Sequence, residues 1–242
     1  MKILLIRHGD PDYEKDSLTE KGWHEAELLA QRMAELEIQS FYVSPLGRAK
    51  DTASCTLKKM GREAEELAWL REFHAPIPDF HTGEPRIPWD QLPADWTAEP
   101  KYYDNIRWAE TLPMLEGHVI DEVNRVWNGL DEVLAKHGYV RNGNYYDAVS
   151  PNEDTLAFFC HFGVTCVMLS HLLGISPMIL WHGFCAAPTS VTSLITEERR
   201  KGVALFRMNA FGDTAHLFAN HEEPAFAARF CETFANQEQR HD

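Results

Sequence analysis

Residues 2–6, Lys-Ile-Leu-Leu-Ile, constrain this chain more than any other segment. In an extended backbone they put apolar side chains on both faces. A strand apolar on both faces has to be covered on both, as in a parallel sheet between layers of helices. The residues that follow supply such layers. A polar loop at 10–16 leads into Ser17-Leu18-Thr19-Glu20, which has capping-box spacing. Trp23, Ala26, Ala30, Met33 and Leu36 then recur every three or four positions, the period of an amphipathic helix. Phe41-Tyr42-Val43 reads as the next strand. Ser44 and Pro45 suit a helix start, with Leu46, Ala49, Ala53 and Leu57 as its apolar face.

A short strand is expected at 67–70. Residues 71–118 then change character, holding seven of the thirteen prolines and three of the seven tryptophans. They can be neither one long helix nor a run of central strands. They read as an ordered excursion, either a lid or pocket wall or a packed connector. The helical period returns from Val119 to Leu134, and Gly138 can end that helix. Residues 141–154 are turn-rich. Thr155–Cys160 is an apolar strand, and 163–173 a helix closed by Gly174. Segments 190–196 and 203–208 flank 197–202 as a hairpin would, and 224–235 reads as a terminal helix. Strands alternating with helices predict an α/β chain, a three-layer α/β/α sandwich with a mostly parallel central sheet. We read residues 1–242 as one domain with the 71–118 segment inserted.

Charge narrows the partners. The 242 residues carry 23 Lys+Arg against 37 Asp+Glu, a formal net charge of −14. That disfavours nucleic acid, which wants a basic face, and anionic membrane surfaces. It leaves room for a small anion, because screening over roughly 8 Å lets a local basic pocket prevail. No run approaches the roughly 18 apolar residues of a membrane span. The apolar start is cut short by Arg7-His8-Gly9-Asp10, unlike a signal peptide, so a cytoplasmic location is expected. Five scattered cysteines without a CxxC pair fit reduced thiols.

Two histidines stand out. His8 follows the first strand directly and His161 follows Thr155–Cys160 directly. Ligands of open α/β sheets bind outside the carboxyl ends of strands, so the two imidazoles meet there if the strands are neighbours. Gly9 and Gly163 would let backbone approach a ligand closely. Arg7 and Arg48 add guanidinium forks, and Arg48 falls in the first turn of a helix, where anions are favoured. A metal is not expected: His74 and His81, with Asp79 between them, match no standard spacing. Trp89, Trp96, Tyr102, Tyr103 and Trp108 would either stack on a substrate or fill a satellite core.

These residues fall into a known order. Leu5-Ile6-Arg7-His8-Gly9 resembles the RHG signature of the histidine phosphatase superfamily, the phosphoglycerate mutase-like fold. Leu18-Thr19-Glu20-Lys21-Gly22 is similar to its LTxxG helix start, and Ser44-Pro45-Leu46-Gly47-Arg48-Ala49-Lys50-Asp51-Thr52-Ala53 to its SPLxRAxxTA element. Leu70-Arg71-Glu72 resembles the segment of its acidic residue, His161-Phe162-Gly163 its second-histidine motif, and 209–217 its late N…HL segment. The resemblance implies a metal-independent phosphomonoesterase needing no cofactor. His8 would be the nucleophile, Arg7, Arg48 and His161 the phosphate clamp, and Glu72 the proton donor, with Gly9 and Gly163 at the substrate. It implies a small phosphorylated substrate and allows a homodimer. The sequence departs from the common pattern at Pro11 and Glu14, where the family has Thr and Asn, and after Glu72, where the usual glycine-rich stretch is replaced by Phe73-His74-Ala75-Pro76. Glu84 or another carboxylate of the excursion is the alternative acid. Transfer to a second hydroxyl, as in a mutase, and phosphate binding without turnover are the rival readings.

Overall fold

In the computed structural model, which describes residues 1–227, 229–239 and 241, the chain builds one eight-stranded sheet. Its strands are β1 (Lys2–Arg7), β2 (Ser40–Val43), β3 (Glu65–Glu66), β4 (Tyr139–Asn142), β5 (Tyr145–Ala148), β6 (Thr155–Cys160), β7 (Val191–Arg200) and β8 (Val203–Asp213). They lie in the order β3-β2-β6-β1-β7-β8-β5-β4. The pairings β3/β2, β2/β6 and β6/β1 are parallel, and those from β1 to β4 are antiparallel. Only β7 and β5 run against the other six, so the sheet is mostly parallel in direction.

The two-sided apolar character of β1 does what it predicts. Leu4 and Ile6 pack with Leu29, Met33 and Ala53, residues of α1 (Glu20–Met33) and α2 (Gly47–Met60). Ile3 and Leu5 belong to the opposite cluster, with Val123, Leu130 and Val167. Those come from α3 (Val119–Lys136) and α4 (Phe162–Leu173). Each fully buried aliphatic side chain contributes roughly 1.5–3 kcal/mol relative to exposure. The register Arg7↔Cys160 sets the carboxyl ends of β1 and β6 side by side.

Several local expectations shift. Thr19, not Ser17, caps α1, its side chain accepting from Gly22 N at 3.0 Å. Ser17 Oγ instead donates to Asp51 Oδ2. Helix α2 starts at Gly47 rather than Pro45, because Asp16 Oδ2 reaches across and accepts from Gly47 N at 2.7 Å. The strand expected at 67–70 is Glu65–Glu66, followed by a 3₁₀ turn at Ala68–Leu70.

The expected terminal helix at 224–235 is irregular in its described residues, Ala228 lying outside them. Its backbone makes isolated turns, such as Arg229 N to Phe226 O at 2.9 Å, and bonds to core side chains. Ala225 N donates to Glu25 Oε1 (2.8 Å), and Ala227 O accepts from Arg7 Nη2 (3.2 Å). The 71–118 excursion forms a two-stranded ribbon, Ile77–Pro78 with Pro85–Arg86, and short helical turns. Phe73, Tyr102 and Trp108 are buried in the α3/α4 cluster, so this part of the excursion is core. Another short helix, α5 (Pro177–Gly183), follows α4.

Candidate active site

The neighbouring carboxyl ends of β1 and β6 deliver His8 and His161. His8 N donates to Cys160 O at 3.0 Å, and the two imidazole centroids stand 5.1 Å apart. Both residues are buried. His8 Nδ1 lies 2.7 Å from Gly9 O. A carbonyl only accepts, so Nδ1 carries the hydrogen and Nε2 keeps its lone pair. Burial, then the charge of Arg7 and Arg48, hold the His8 pKa well below the usual imidazole value. His161 is lowered in the same way, by burial and then by His8, Arg48 and Arg7. His161 Nε2 pairs with Ser44 Oγ at 2.7 Å.

The guanidinium groups are fixed from behind. Arg7 Nη1 donates to Ala186 O (2.7 Å) and Nη2 to Ala227 O. Arg48 Nη1 donates to Asp16 Oδ1 (2.6 Å). Three buried nitrogens of the cluster, Arg7 Nε, Arg48 Nε and His161 Nδ1, have no hydrogen-bond partner. Orphaned buried donors are costly, about 1–3 kcal/mol each or more when charged. An anion beside His8 would satisfy them, and phosphate presents several acceptor oxygens.

Glu72 joins this cluster through α4. Its Oε1 accepts from Phe73 N (2.7 Å) and Val164 N (3.0 Å), and its Oε2 from Gly163 N (3.3 Å). The carboxylate thus sits at the amino end of the helix that His161 begins. Burial raises its pKa above the ordinary carboxyl value, against the pull of those N–H groups and Arg7. Gly163 is required here: a Cβ would stand 2.7 Å from Glu72 Oε1 and 2.8 Å from the Trp89 ring. Gly9 is equally confined, since its Cβ would meet Gly22 O at 2.7 Å. The alternative acid, Glu84, is exposed on the 77–86 ribbon.

Further side chains support the cluster from outside it. Gly9 N donates to Thr52 Oγ1 (2.9 Å), whose own hydrogen goes to Arg48 O (2.7 Å), so one hydroxyl ties the His8 loop to the Arg48 helix. Thr52 lies inside the quoted motif, which was the available signal. Thr189, at φ +58°, donates its N–H to His8 O (3.1 Å), and its Oγ1 pairs with His216 Nε2 (3.1 Å). His216 falls in the late N…HL segment. Asp16 and the buried Glu25 carry no sequence signal. Pro11 and Glu14 sit on the loop between β1 and α1, where Pro11–Asp12 pairs with Ser17–Leu18. His81 N donates to Asp79 Oδ1 (2.9 Å) and His81 Nε2 lies 3.0 Å from Asp95 Oδ2; among the described residues no group of three or more His, Cys, Asp or Glu is placed to hold a metal ion.

The profile described as "Histidine phosphatase superfamily (branch 1)" matches residues 3–209. A probable phosphoglycerate mutase GpmB of Photorhabdus laumondii is 36% identical over 83 residues, covering 31% of this chain and 39% of that protein. The chain spans less than two thirds of the first curated relatives it matches, 39% and 52% of the first two. A probable phosphatase of Schizosaccharomyces pombe is 24% identical over 233 residues, 90% of this chain and 95% of that one. The fold is shared with a crystal structure of an Entamoeba histolytica phosphoserine phosphatase mutant in complex with phosphoserine. That structure has TM-score 0.58 and 20% identity, over 89% of this chain and 98% of that one. A mycobacterial glucosyl-3-phosphoglycerate phosphatase also has TM-score 0.58, at 20% identity over 87% and 98%. Among the described residues, no helix is long and apolar enough to cross a membrane. With its motifs, its site geometry and a profile match over most of its length, the chain belongs to the histidine phosphatase superfamily.

Proposed function

We propose that the chain is a phosphomonoesterase working through a phosphohistidine on His8. The observation that carries this is the 2.7 Å contact of His8 Nδ1 with Gly9 O. It leaves a neutral, buried imidazole with its Nε2 lone pair beside two guanidinium groups. In the first step Nε2 attacks phosphorus, and the bond from phosphorus to the alcohol oxygen breaks. The Nε–H groups of Arg7 and Arg48 hold the phosphoryl oxygens. In this scheme Ser44 donates to His161 Nε2 across their 2.7 Å contact, which puts the ring proton on Nδ1, the nitrogen without a partner. Glu72 protonates the departing alkoxide. In the second step water attacks phosphorus, Glu72 takes its proton, and the P–N bond breaks to restore the His8 lone pair. The side chains supply every group this scheme needs, so no cofactor enters it, and its substrate is a phosphorylated small molecule.

Phosphate release from p-nitrophenyl phosphate with EDTA present tests the reading. Wild type should turn over, and His8→Ala should lose at least about 10³-fold in kcat. The trapped phosphoenzyme should be acid-labile, as a phosphoramidate is; an acid-stable one would sink the scheme. The names of the curated relatives favour a second reading, transfer to another hydroxyl. Product analysis separates the two: free phosphate against an isomerised ester.

A further inference from the structure

Beside the phosphate cluster lies a cavity of about 750 Å³. That is the size of pockets that enclose a drug-sized ligand. It meets the cluster at Gly163, where an added Cβ would stand 2.7 Å from Glu72 Oε1 and 2.8 Å from the Trp89 ring of the wall. Phe162, in its wall, follows His161 directly. Cys185, also in the wall, precedes Ala186, whose carbonyl holds Arg7 Nη1. Arg229 lies two residues beyond Ala227, whose carbonyl holds Arg7 Nη2. A phosphoryl group on His8 would therefore have its ester oxygen next to this space.

The walls are aromatic and built in advance. Trp89, Trp96, Phe162, Trp181 and Phe184 face it from the excursion, α4 and the end of α5, and Phe234 faces it from the C-terminal segment. Trp181 Nε1 donates to Gly163 O (3.1 Å), and Trp89 stands 5.9 Å from the Trp181 ring. Trp96 stacks on His182 at 4.8 Å, and His182 Nδ1 is held by Met178 O (2.9 Å). Side chains fixed in this way lose little freedom when a ligand arrives, which favours binding. Among the described lining residues, Arg229 is paired with Glu232 (2.9 Å) and lies over the Phe226 ring. A sugar would leave apolar wall uncovered.

We propose that the alcohol released by this enzyme is a large, aromatic-bearing one, so that the substrate class is the monophosphate of such an alcohol. The proposal rests on the phosphatase reading above. A series of primary-alcohol esters holds the chemistry of the leaving oxygen nearly constant: ethyl, butyl, 2-phenylethyl and 2-(1-naphthyl)ethyl phosphate. Glycerol 3-phosphate and phosphoserine serve as small polar comparators. We expect kcat/KM to rise along the series, by about 30-fold or more from ethyl to naphthylethyl, from buried apolar area. Trp96→Ala should lower kcat/KM for the naphthylethyl ester about tenfold more than for the ethyl ester. Phe184→Ala, at a partly exposed wall residue, should act in the same direction. A flat series, or a preference for the polar comparators, overturns the substrate class and leaves the phosphatase reading standing. So does equal loss with both esters in both variants. No phosphate release from any ester overturns the phosphatase reading and this proposal with it.

Discussion

A single hydrogen decides what His8 can do. With Nδ1–H on Gly9 O, its Nε2 keeps the lone pair that the proposed scheme needs at any pH where the ring is neutral, and burial beside Arg7 and Arg48 extends that range well below the ordinary imidazole value. Glu72 works in the opposite sense. Its raised pKa keeps a proton available to a higher pH than an ordinary carboxyl allows. As pH rises through that ionisation the acid is lost, and kcat for an alkyl ester should fall. On the acid side activity should persist below pH 6.5, because His8 is not yet protonated. A pH profile of kcat on ethyl phosphate checks both limbs. Glu72→Gln keeps the shape and removes the proton; it should cost about 10²–10⁴-fold in kcat on that ester, with KM little changed. Arg7, His8, Arg48 and His161 were singled out because each sits at a strand end or helix start that the hydrophobic pattern marks, whereas Glu72 came only from the family resemblance. Asp16 and Glu25 carried no such mark, since their partners lie far away in the chain and only the fold brings them together.

At the level of elements, the loop after β1 and the start of α2 act as one unit. Asp16, at φ +47°, caps Gly47 N with one carboxylate oxygen and holds Arg48 with the other. Leu46, at the N-cap position, makes no such side-chain bond. The local sequence therefore pointed to Ser44 and Pro45 as the helix start, while the actual cap comes from another loop. The fit leaves no room for a Cβ at position 47, which would overlap the Asp16 carbonyl oxygen. Gly47→Ala has to displace backbone, so it should destabilise the fold by about 1–3 kcal/mol in urea unfolding. It should also raise KM for p-nitrophenyl phosphate as Arg48 moves. The excursion was half legible. Its prolines ruled out long elements, but the same composition is compatible with core and with pocket wall, and the chain uses both: Trp108 in the core, Trp89 and Trp96 on the cavity.

For the molecule as a whole, Glu25 links distant ends of the chain. Fully buried on α1, it accepts from Asp10 N (3.3 Å) in the first loop and from Ala225 N (2.8 Å) near the C-terminus. Burial pushes its pKa up to about 7 from 4.5. The folded protein then holds this proton more tightly than the unfolded chain. The associated stability is fully present below pH 4.5, is lost between pH 4.5 and about 7, and does not change further above that. Up to about 3 kcal/mol is at stake. Thermal melts of wild type and Glu25→Gln across pH 5–8 should therefore show the variant gaining on wild type as pH rises; parallel curves would contradict it. The architecture was readable because β1 is apolar on both faces. The antiparallel half of the sheet was glimpsed only as one hairpin, since β4 and β5 fall in and beside a turn-rich stretch whose composition hides them.

The pairing of β1 with β6 has a further consequence, for how the protein comes into being. His8 and His161 directly follow adjacent strands, yet most of the chain must be made between one and the other. Contacts so remote in sequence close late, because the loop between them has to be ordered first. A nascent chain still on the ribosome carries the RHG loop early but has nothing to set opposite it. Its imidazole has no His161 across from it until the sixth strand is in place, and Arg7 is not held until residues 186 and 227 have followed.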